Sequence, residues 1–178
     1  MLSDDTITLR QPTRDDTALL IDAIRSSHAE INPWLPFATA DYSEDDANFF
    51  LDLVEKGYEQ SFLIFYGGQM CGVCGINGIN TEHHTGNLGY WMRTDCTGRG
   101  VATRAARLVA IYGLTELKLQ RIEVLAATEN TASQRVAERA GFAAEGIRRK
   151  ALRAHNQQHD VVVYAATQDD YEHLRSMV

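Results

Sequence analysis

Two glycines stand in a short polar segment directly before a strongly patterned helix. The segment Gly98-Arg99-Gly100-Val101-Ala102-Thr103 follows an apolar strand pattern, and the helical pattern begins at Val101. Glycine permits positive φ, so successive N–H groups can turn toward one point at the helix N-terminus and form an anion nest suited to pyrophosphate. Alternatively, the same glycines could form a plain strand-to-helix turn that binds no anion. A dinucleotide-binding Gly-x-Gly-x-x-Gly is incomplete, because Thr103 takes the place of the third glycine.

A second polar cluster follows the next strand pattern. Asn130 and Ser133 come directly after residues 121–127 and begin a short helical pattern that Gly141 ends. Asn130 could be the N-cap of that helix. Alternatively, its amide and the Ser133 hydroxyl could bond a ligand, and the two segments together could hold a long phosphorylated cofactor at both ends.

The elements that must position these residues are predicted to form one mixed α/β sheet. Alternating and apolar runs predict strands at residues 6–10, 62–66, 70–76, 87–93, 121–127, 142–152 and 160–167. Helical spacing predicts helices at residues 15–25, 43–57, 101–112 and 133–140. The three strands before residue 94 resemble an antiparallel meander, and a strand-helix-strand unit lies at the centre. In the second helix, Ser43 and Asp46 resemble a capping box, and the apolar stripe is predicted to be Phe49, Phe50, Leu53 and Val54.

Composition excludes several classes of function. The chain has 178 residues and a formal charge of −7, and no linker or repeat interrupts it, so we expect a single domain over residues 1–178. An acidic protein is unsuited to nucleic acid and suited to a cationic substrate. We find no signal peptide and no run that could cross a bilayer, so the expected location is the cytoplasm, with no membrane partner.

The cysteines favour a reducing compartment rather than a metal site. There are three, Cys71, Cys74 and Cys96, and an odd number does not suit a disulfide framework. The Cys71-Gly72-Val73-Cys74 spacing falls in a predicted strand, where residues three apart are expected to point to opposite faces. No second pair has ligand spacing, so the prediction is that no metal is bound.

Five blocks of sequence resemble a known family, the GNAT N-acetyltransferases, and within it the RimJ/RimL branch that acetylates ribosomal-protein N-termini. They are Leu88-Gly89-Tyr90-Trp91-Met92, Gly98 to Thr103, Asn130-x-x-Ser133, Ala140-Gly141-Phe142 with Glu145-Gly146, and Asp160 to Tyr164. The resemblance runs over nearly the whole chain. It implies a central, mostly antiparallel sheet of about seven strands, flanked by helices, in which two central strands splay apart and hold acetyl-CoA between them.

The resemblance also implies roles for individual residues. The pantetheine arm would bond the strand that ends at Trp91, Met92 and Arg93, and Asn130 would hold the same arm. The pyrophosphate would bind backbone amides of Arg99, Gly100, Val101, Ala102 and Thr103. Ser133 would lie beside the sulfur as the proton donor. Asn32 and Trp34 would lie in a loop at the substrate mouth, although Trp34 could equally be a plug in the core.

The chain departs from the family pattern at four positions. Thr97 stands where the phosphate motif has Gln or Arg, and Ala137 stands where many members have a general-acid Tyr. Asn87 and Leu152 replace positions where this branch can carry a carboxylate base. A site without a strong base favours α-amines, whose pKa is about 8, over lysine, whose pKa is about 10.4.

Several residues could still relay a proton through water, and we weigh each against a solvated-loop role. They are Glu82, His83, His84, His28 and Glu30. The basic residues Arg148, Arg149, Lys150 and Arg153 either protect an edge strand or bind the 3′-phosphate of the cofactor or an acidic substrate.

The sequence therefore predicts an acetyl-CoA-dependent N-acetyltransferase that transfers acetyl directly to a protein or peptide N-terminal α-amine. The alternatives are acetylation of a small amine (a polyamine, an amino acid or an antibiotic), a non-catalytic acyl-CoA-binding module, and a dinucleotide-binding protein. Antiparallel edge strands near the carboxyl terminus make a homodimer the expected assembly.

Overall fold

Eight strands form one open sheet in the computed structural model, which describes residues 1–178. The strands are β1 (Leu2–Ser3), β2 (Ile7–Arg10), β3 (Gln60–Tyr66), β4 (Gln69–Asn80), β5 (Thr85–Met92), β6 (Arg121–Ala127), β7 (Ala143–Ala154) and β8 (Gln157–Thr167). The helices are α1 (Thr17–Arg25), α2 (His28–Ile31), α3 (Glu44–Glu55), α4 (Val101–Thr115), α5 (Thr131–Ala140) and α6 (Tyr171–Ser176). No helix combines the length and the apolar character needed to cross a membrane.

The spatial order of the strands is β1-β2-β3-β4-β5-β6-β8-β7, and all neighbours are antiparallel except β5 and β6. The predicted mixed α/β fold with a mostly antiparallel sheet is confirmed, as are the meander of β3, β4 and β5 and the β5-α4-β6 unit. The elements that the patterns missed are β1, α2 and α6, each of two to six residues. Elements that short carry too few side chains to show a period.

The central strands splay apart as expected. β5 and β6 pair in parallel only through Thr85 with Arg121, Gly86 with Ile122, and Asn87 with Glu123. Beyond Asn87 they share no further pairs, although β5 continues to Met92 on its other side. The gap between them leaves backbone groups of both strands without a sheet partner.

Two apolar clusters cover the two faces of the sheet. The larger one packs α4, α5 and α6 against one face, and the smaller one packs α1 and α3 against β3 and β4 on the other. In α3 the predicted stripe is only partly right. Ala47 and Leu51 are the buried residues, Phe50 packs half-buried against the same cluster, and Phe49 is 68% exposed.

The prediction that Cys71 and Cys74 point to opposite faces is also wrong. Phe65 pairs with Met70 and Ile64 pairs with Gly72, so Cys71 is the extra residue of a β-bulge. The bulge changes the alternation by one residue, and both thiols enter the same apolar cluster beneath α4. No group of three metal-ligating side chains occurs in the structure.

Candidate active site

The gap between β5 and β6 is the centre of a cavity of about 880 Å³. Its walls come from β4, β5 and β6, from the N-termini of α4 and α5, and from the segment between α1 and α3. One end therefore lies at the glycine loop, and the other lies between the sheet and the early helices.

The glycine loop forms the predicted nest. Gly98 and Gly100 have φ values of 75° and 76°, and Gly100 is the left-handed N-cap of the 15-residue helix α4. None of the N–H groups from Gly98 to Thr103 donates a hydrogen bond to another protein group. Unpaired amides at a helix N-terminus favour an anion, so these residues fit a pyrophosphate.

The backbone of β5 turns alternate residues toward the gap. The N–H of Arg93 donates to the carbonyl of Cys71 on β4, with an N···O distance of 2.8 Å. Because N–H groups alternate between the edges of a strand, those of Met92 and Tyr90 point to the gap. The backbone groups of Trp91 and Arg93 face β4, so among the three predicted residues only Met92 offers its amide to a ligand.

Asn130 caps α5, which is one of the two roles that its position suggested. Its Oδ1 accepts from the N–H of Ser133 at 3.0 Å. Its Nδ2 donates to no protein group, and Asn130 and Ser133 both line the cavity. The cap thus occupies one atom of the amide and leaves the other for a ligand.

The structure brings Tyr90 to Ser133, a contact that the sequence did not indicate. The Tyr90 hydroxyl donates to the backbone carbonyl of Ser133 at 2.8 Å and lies 3.1 Å from its Oγ. Burial raises the pKa of Tyr90 well above its usual value, and the hydrogen bond with Ser133 offsets only part of that shift. Tyr90 is therefore a protonated phenol at neutral pH.

The sequence and the fold that carry this arrangement are similar to those of known proteins. The acetyltransferase (GNAT) domain matches residues 6–143. The chain belongs to the GNAT acetyltransferase family. It is an acetyl-CoA-dependent N-acetyltransferase, with acetyl-CoA as co-substrate.

The names of relatives in the GNAT family indicate different acceptors. YdaF of Bacillus subtilis, provisionally named a ribosomal N-acetyltransferase, is 30% identical over 175 residues, 93% of each chain. The Escherichia coli ribosomal-protein-serine acetyltransferase is 29% identical over 113 residues, 64% of this chain and 63% of that protein. The Escherichia coli spermidine N(1)-acetyltransferase is 30% identical over 88 residues, 49% of this chain and 47% of that protein.

A solved structure shows the same fold. The ribosomal-protein α-N-acetyltransferase RimL, in complex with coenzyme A, superposes with a TM-score of 0.85. Its sequence is 24% identical, and the match covers 93% of this chain and 96% of that one.

The two predicted acceptor residues of this GNAT protein lie in different places. Trp34 lines the cavity, half-buried, with its ring edge-on to His159 at a centroid distance of 6.0 Å. Asn32 does not line it. Its side chain donates to the Pro36 carbonyl at 3.5 Å, and its carbonyl accepts from His155 at 3.0 Å, so Asn32 holds the loop that carries Trp34.

Among the candidate bases, only Glu30 lines the cavity. Its Oε2 accepts from the Thr94 hydroxyl at 2.9 Å. Glu82, His83 and His84 lie in the turn between β4 and β5, away from the cavity.

The side chains of Arg93 and Arg99 also lie outside the cavity lining. Arg93 pairs with Asp22 at 2.5 Å and with Asp95 at 3.1 Å, which fixes the turn before the nest. Arg99 is exposed, and its backbone N–H is one of the unpaired groups of the nest.

Two exposed arginines that no sequence motif indicated line the cavity. Arg135 and Arg139 are four residues apart on α5, on the same side of the helix, and neither guanidinium has a carboxylate or other protein partner. The basic residues of β7 lie instead on an exposed edge strand, where Arg148 approaches Glu123 at 3.5 Å. Unpaired cations at a cavity wall are a signal that only the structure reveals.

Proposed function

We propose that this enzyme acetylates the N-terminal α-amine of a protein or peptide. The observation that supports the proposal is the lack of a histidine, and of a carboxylate without a hydrogen-bond partner, in the cavity lining. No histidine lines it, and each of its carboxylates already has a partner: Glu30 with Thr94, Asp46 with Ser43, and Glu59 with Ser61. An α-amine with a pKa of about 8 is partly neutral at physiological pH and needs no strong base, whereas a lysine does.

Bound acetyl-CoA supplies an acetyl thioester, so transfer forms an amide C–N bond, breaks the C–S bond and leaves a thiolate that takes up a proton. The N–H groups of Tyr90 and Met92 point into the gap, where they can donate to the oxyanion that develops on the carbonyl oxygen. Ser133 gives its hydroxyl proton to the departing sulfur and regains a proton from the water that accepts one from the amine, while Tyr90 orients Ser133. The amine releases its proton to water.

Groups on both sides of the gap would hold the cofactor. The amides from Arg99 to Thr103 bind the pyrophosphate, and the Nδ2 of Asn130 bonds the pantetheine arm beside Met92. Arg135 and Arg139 neutralise the phosphates, because they are the unpaired cations of the cavity wall. Trp91 contributes its ring to the wall, and Arg93 holds the strand end.

The acceptor end has an apolar mouth. Trp34 lines it with Phe37, which is 48% exposed, and Phe49, which is 68% exposed. Exposed aromatic side chains around an opening are typical of a surface that binds a peptide or protein. The names of the ribosomal-protein relatives support the same class of acceptor.

Mass spectrometry on a mixed acceptor pool tests the proposal. Peptides with varied N-termini, spermidine, amino acids and aminoglycosides are incubated with labelled acetyl-CoA and the enzyme or its Ser133→Ala variant. We expect label on peptide α-amines, reduced in the variant. Label confined to small amines would refute the peptide proposal, and binding of acetyl-CoA without transfer to any acceptor would indicate a non-catalytic module.

A further inference from the structure

The charged side chains of the cavity lining are sorted by sign. The two cations, Arg135 and Arg139, lie on α5. The three carboxylates, Glu30, Asp46 and Glu59, lie on α2, on α3 and directly before β3, which form the acceptor side of the cavity. No Lys or Arg lines that side, so its field favours a positively charged ligand.

The negative charge of the chain is concentrated in one segment, residues 26–55, which contains α2, the loop of Trp34 and α3. This segment holds seven Asp and Glu residues and no Lys or Arg. Since the whole chain holds 24 acidic and 17 basic residues, the rest of it is balanced, and the formal charge of −7 lies in this segment. Like charges repel one another, so binding of a cation would stabilise the segment.

Only two of the seven carboxylates are paired within the protein. Asp52 and Glu55 form ion pairs with Arg14. Arg25, directly before the segment, donates to the Tyr42 carbonyl rather than to a carboxylate. The carboxylates that form no ion pair with Lys or Arg are Glu30, Asp41, Glu44, Asp45 and Asp46.

Helix stability explains only part of this charge. The dipole of α3 favours acidic residues in its first turn, where Glu44, Asp45 and Asp46 stand. It does not explain Glu30 or Glu59, which lie on other elements of the same wall. A cationic ligand in the cavity would explain the carboxylates of all three elements.

The same segment forms an apolar groove beside these charges. One face of α3 lines the cavity, and it carries Asp46 at its start, followed by Phe49, Phe50 and Leu53. Phe37 extends the groove from the loop before α3, and its ring is exposed, as is that of Phe49. The side chains of Lys and Arg have an apolar stem and a charged head, so they match an apolar groove with carboxylates beside it.

We infer that this acidic groove, formed by Trp34, Phe37, Asp46, Phe49 and Glu59, docks an acceptor peptide with basic side chains in the residues that follow its N-terminus. The stems of these side chains pack on the aromatic rings, and their charged heads lie near the carboxylates. Acidic side chains at the same positions of the peptide are repelled. The inference rests on the proposed peptide α-amine activity and names the class of peptide that the site selects.

A matched pair of peptides tests the charge of the acceptor. One peptide has arginine at its second and third positions, and the other has citrulline there, which keeps the shape of arginine without its charge. We expect the KM of the wild type for the arginine peptide to be about tenfold lower, because two exposed charge pairs are gained. The difference should shrink at high salt, since ions screen exposed charges. Equal KM values for the two peptides at low salt would overturn the inference.

Two variants without these charges locate the effect in the acidic groove. Glu44→Gln with Asp45→Asn removes two exposed carboxylates of the first turn of α3. Glu59→Gln removes the carboxylate before β3 and keeps an oxygen that can accept from the Ser61 hydroxyl, as Glu59 does at 3.3 Å. We expect each variant to reduce the KM ratio of the two peptides about threefold and to leave the KM for acetyl-CoA unchanged. A wild-type ratio in both variants would contradict the inference.

The matched control changes the net charge by the same amount at a remote place. Asp169→Asn with Glu172→Gln removes two exposed carboxylates next to and in the first turn of α6, which packs against the other face of the sheet. This variant should keep the wild-type ratio of the two KM values. A loss equal to that of the groove variants would mean that the net charge of the protein, and not the acidic groove, selects the peptide.

The two levels of proposal fail differently. If no peptide is acetylated and small amines are, the proposed function is wrong, and the assignment of the acidic groove falls with it. If peptides are acetylated but the arginine and citrulline peptides are used equally, only the assignment of the acidic groove is wrong. Binding of acetyl-CoA by each variant, measured by calorimetry, shows that it is folded.

Discussion

At the scale of single residues, the main feature is the contact between the Tyr90 and Ser133 hydroxyls. A phenol carries one proton, and in the structure Tyr90 donates it to the Ser133 backbone carbonyl. That contact holds the first turn of α5 against β5, while the Oγ of Ser133, 3.1 Å away, can donate to the phenol oxygen or to a sulfur atom in the gap. We therefore assign Tyr90 as a positioning residue for Ser133, because its hydroxyl proton is already donated to the Ser133 carbonyl.

A double-mutant cycle tests this arrangement. We expect Ser133→Ala to lower kcat about a hundredfold, as removal of a general acid does, and Tyr90→Phe to lower it about tenfold. In the Ser133→Ala background, Tyr90→Phe should have no further effect on kcat, since its target is gone. Tyr58→Phe, which changes an exposed phenol, is the control. Additive losses in the double variant would show that Tyr90 acts independently of Ser133.

At the scale of elements, the helices α4 and α5 together form the anion-binding end of the cavity. α4 supplies unpaired amides and a helix dipole, and α5 supplies the cations Arg135 and Arg139. In the basic strand β7, only Leu152 lines the cavity.

We therefore expect the double variant Arg135→Ala and Arg139→Ala to raise the KM for acetyl-CoA about tenfold, because two phosphate contacts are lost. The effect should be smaller with 3′-dephospho-acetyl-CoA and at high salt. The matched control is Arg149→Ala with Arg153→Ala on β7, which should bind acetyl-CoA as the wild type does. If the β7 variant raised the KM for acetyl-CoA and the α5 variant did not, the 3′-phosphate would lie at β7.

At the scale of the whole molecule, Arg107 joins α4 to the C-terminal ends of α5 and α6. It lies in α4, is 8% exposed, and donates to the carbonyls of Arg139 and Met177 at 2.6 Å and of Ala140 at 3.5 Å. These carbonyls end α5 and follow α6, so one guanidinium caps two helix C-termini.

Replacing Arg107 by Ala should lower the free energy of unfolding by about 2 to 4 kcal/mol, because buried carbonyls lose a charged donor. Denaturant unfolding measures the change. Arg175→Ala, an exposed arginine of α6 without a partner, should have no measurable effect. A stability equal to that of the wild type in Arg107→Ala would mean that water replaces the guanidinium at these carbonyls.

The stability should also depend on pH through Asp16. Arg10 donates two hydrogen bonds to this carboxylate, at 2.6 and 2.8 Å, and holds its pKa below the usual value. The unfolded chain then binds the proton more tightly, so this stabilisation is complete above about pH 4 and disappears as the pH falls through the folded pKa. Asp16→Asn should cost about 1 to 2 kcal/mol at pH 7 and nothing at low pH, with Asp15→Asn as the exposed control.

The expected homodimer stays a prediction at this scale. β7 is the edge of the sheet, and its residues from Ala143 to Ala151 are exposed. An unpaired edge of this length can add a strand from a second copy. Light scattering would measure the mass in solution, and a monomer would contradict the expectation.

The sequence by itself determined the features whose causes are local. Gly98 and Gly100 predict the nest because positive φ is a property of single residues, and the caps at Ser43 and Asn130 follow from hydrogen bonds that span three positions. Strand and helix periods within each segment predict the order of the elements, including the β5-α4-β6 unit. The resemblance to the GNAT family added the splay of β5 and β6, which no local pattern indicates.

Only the tertiary structure decided which distant side chains meet. Tyr90 and Ser133 are 43 residues apart, and their contact depends on how α5 packs against β5. The bulge at Cys71 reversed the faces predicted from alternation, and the register of β4 with β5 placed Gly75 opposite Gly89. Register, bulges and packing angles result from contacts summed over the whole core, so no short segment of sequence encodes them.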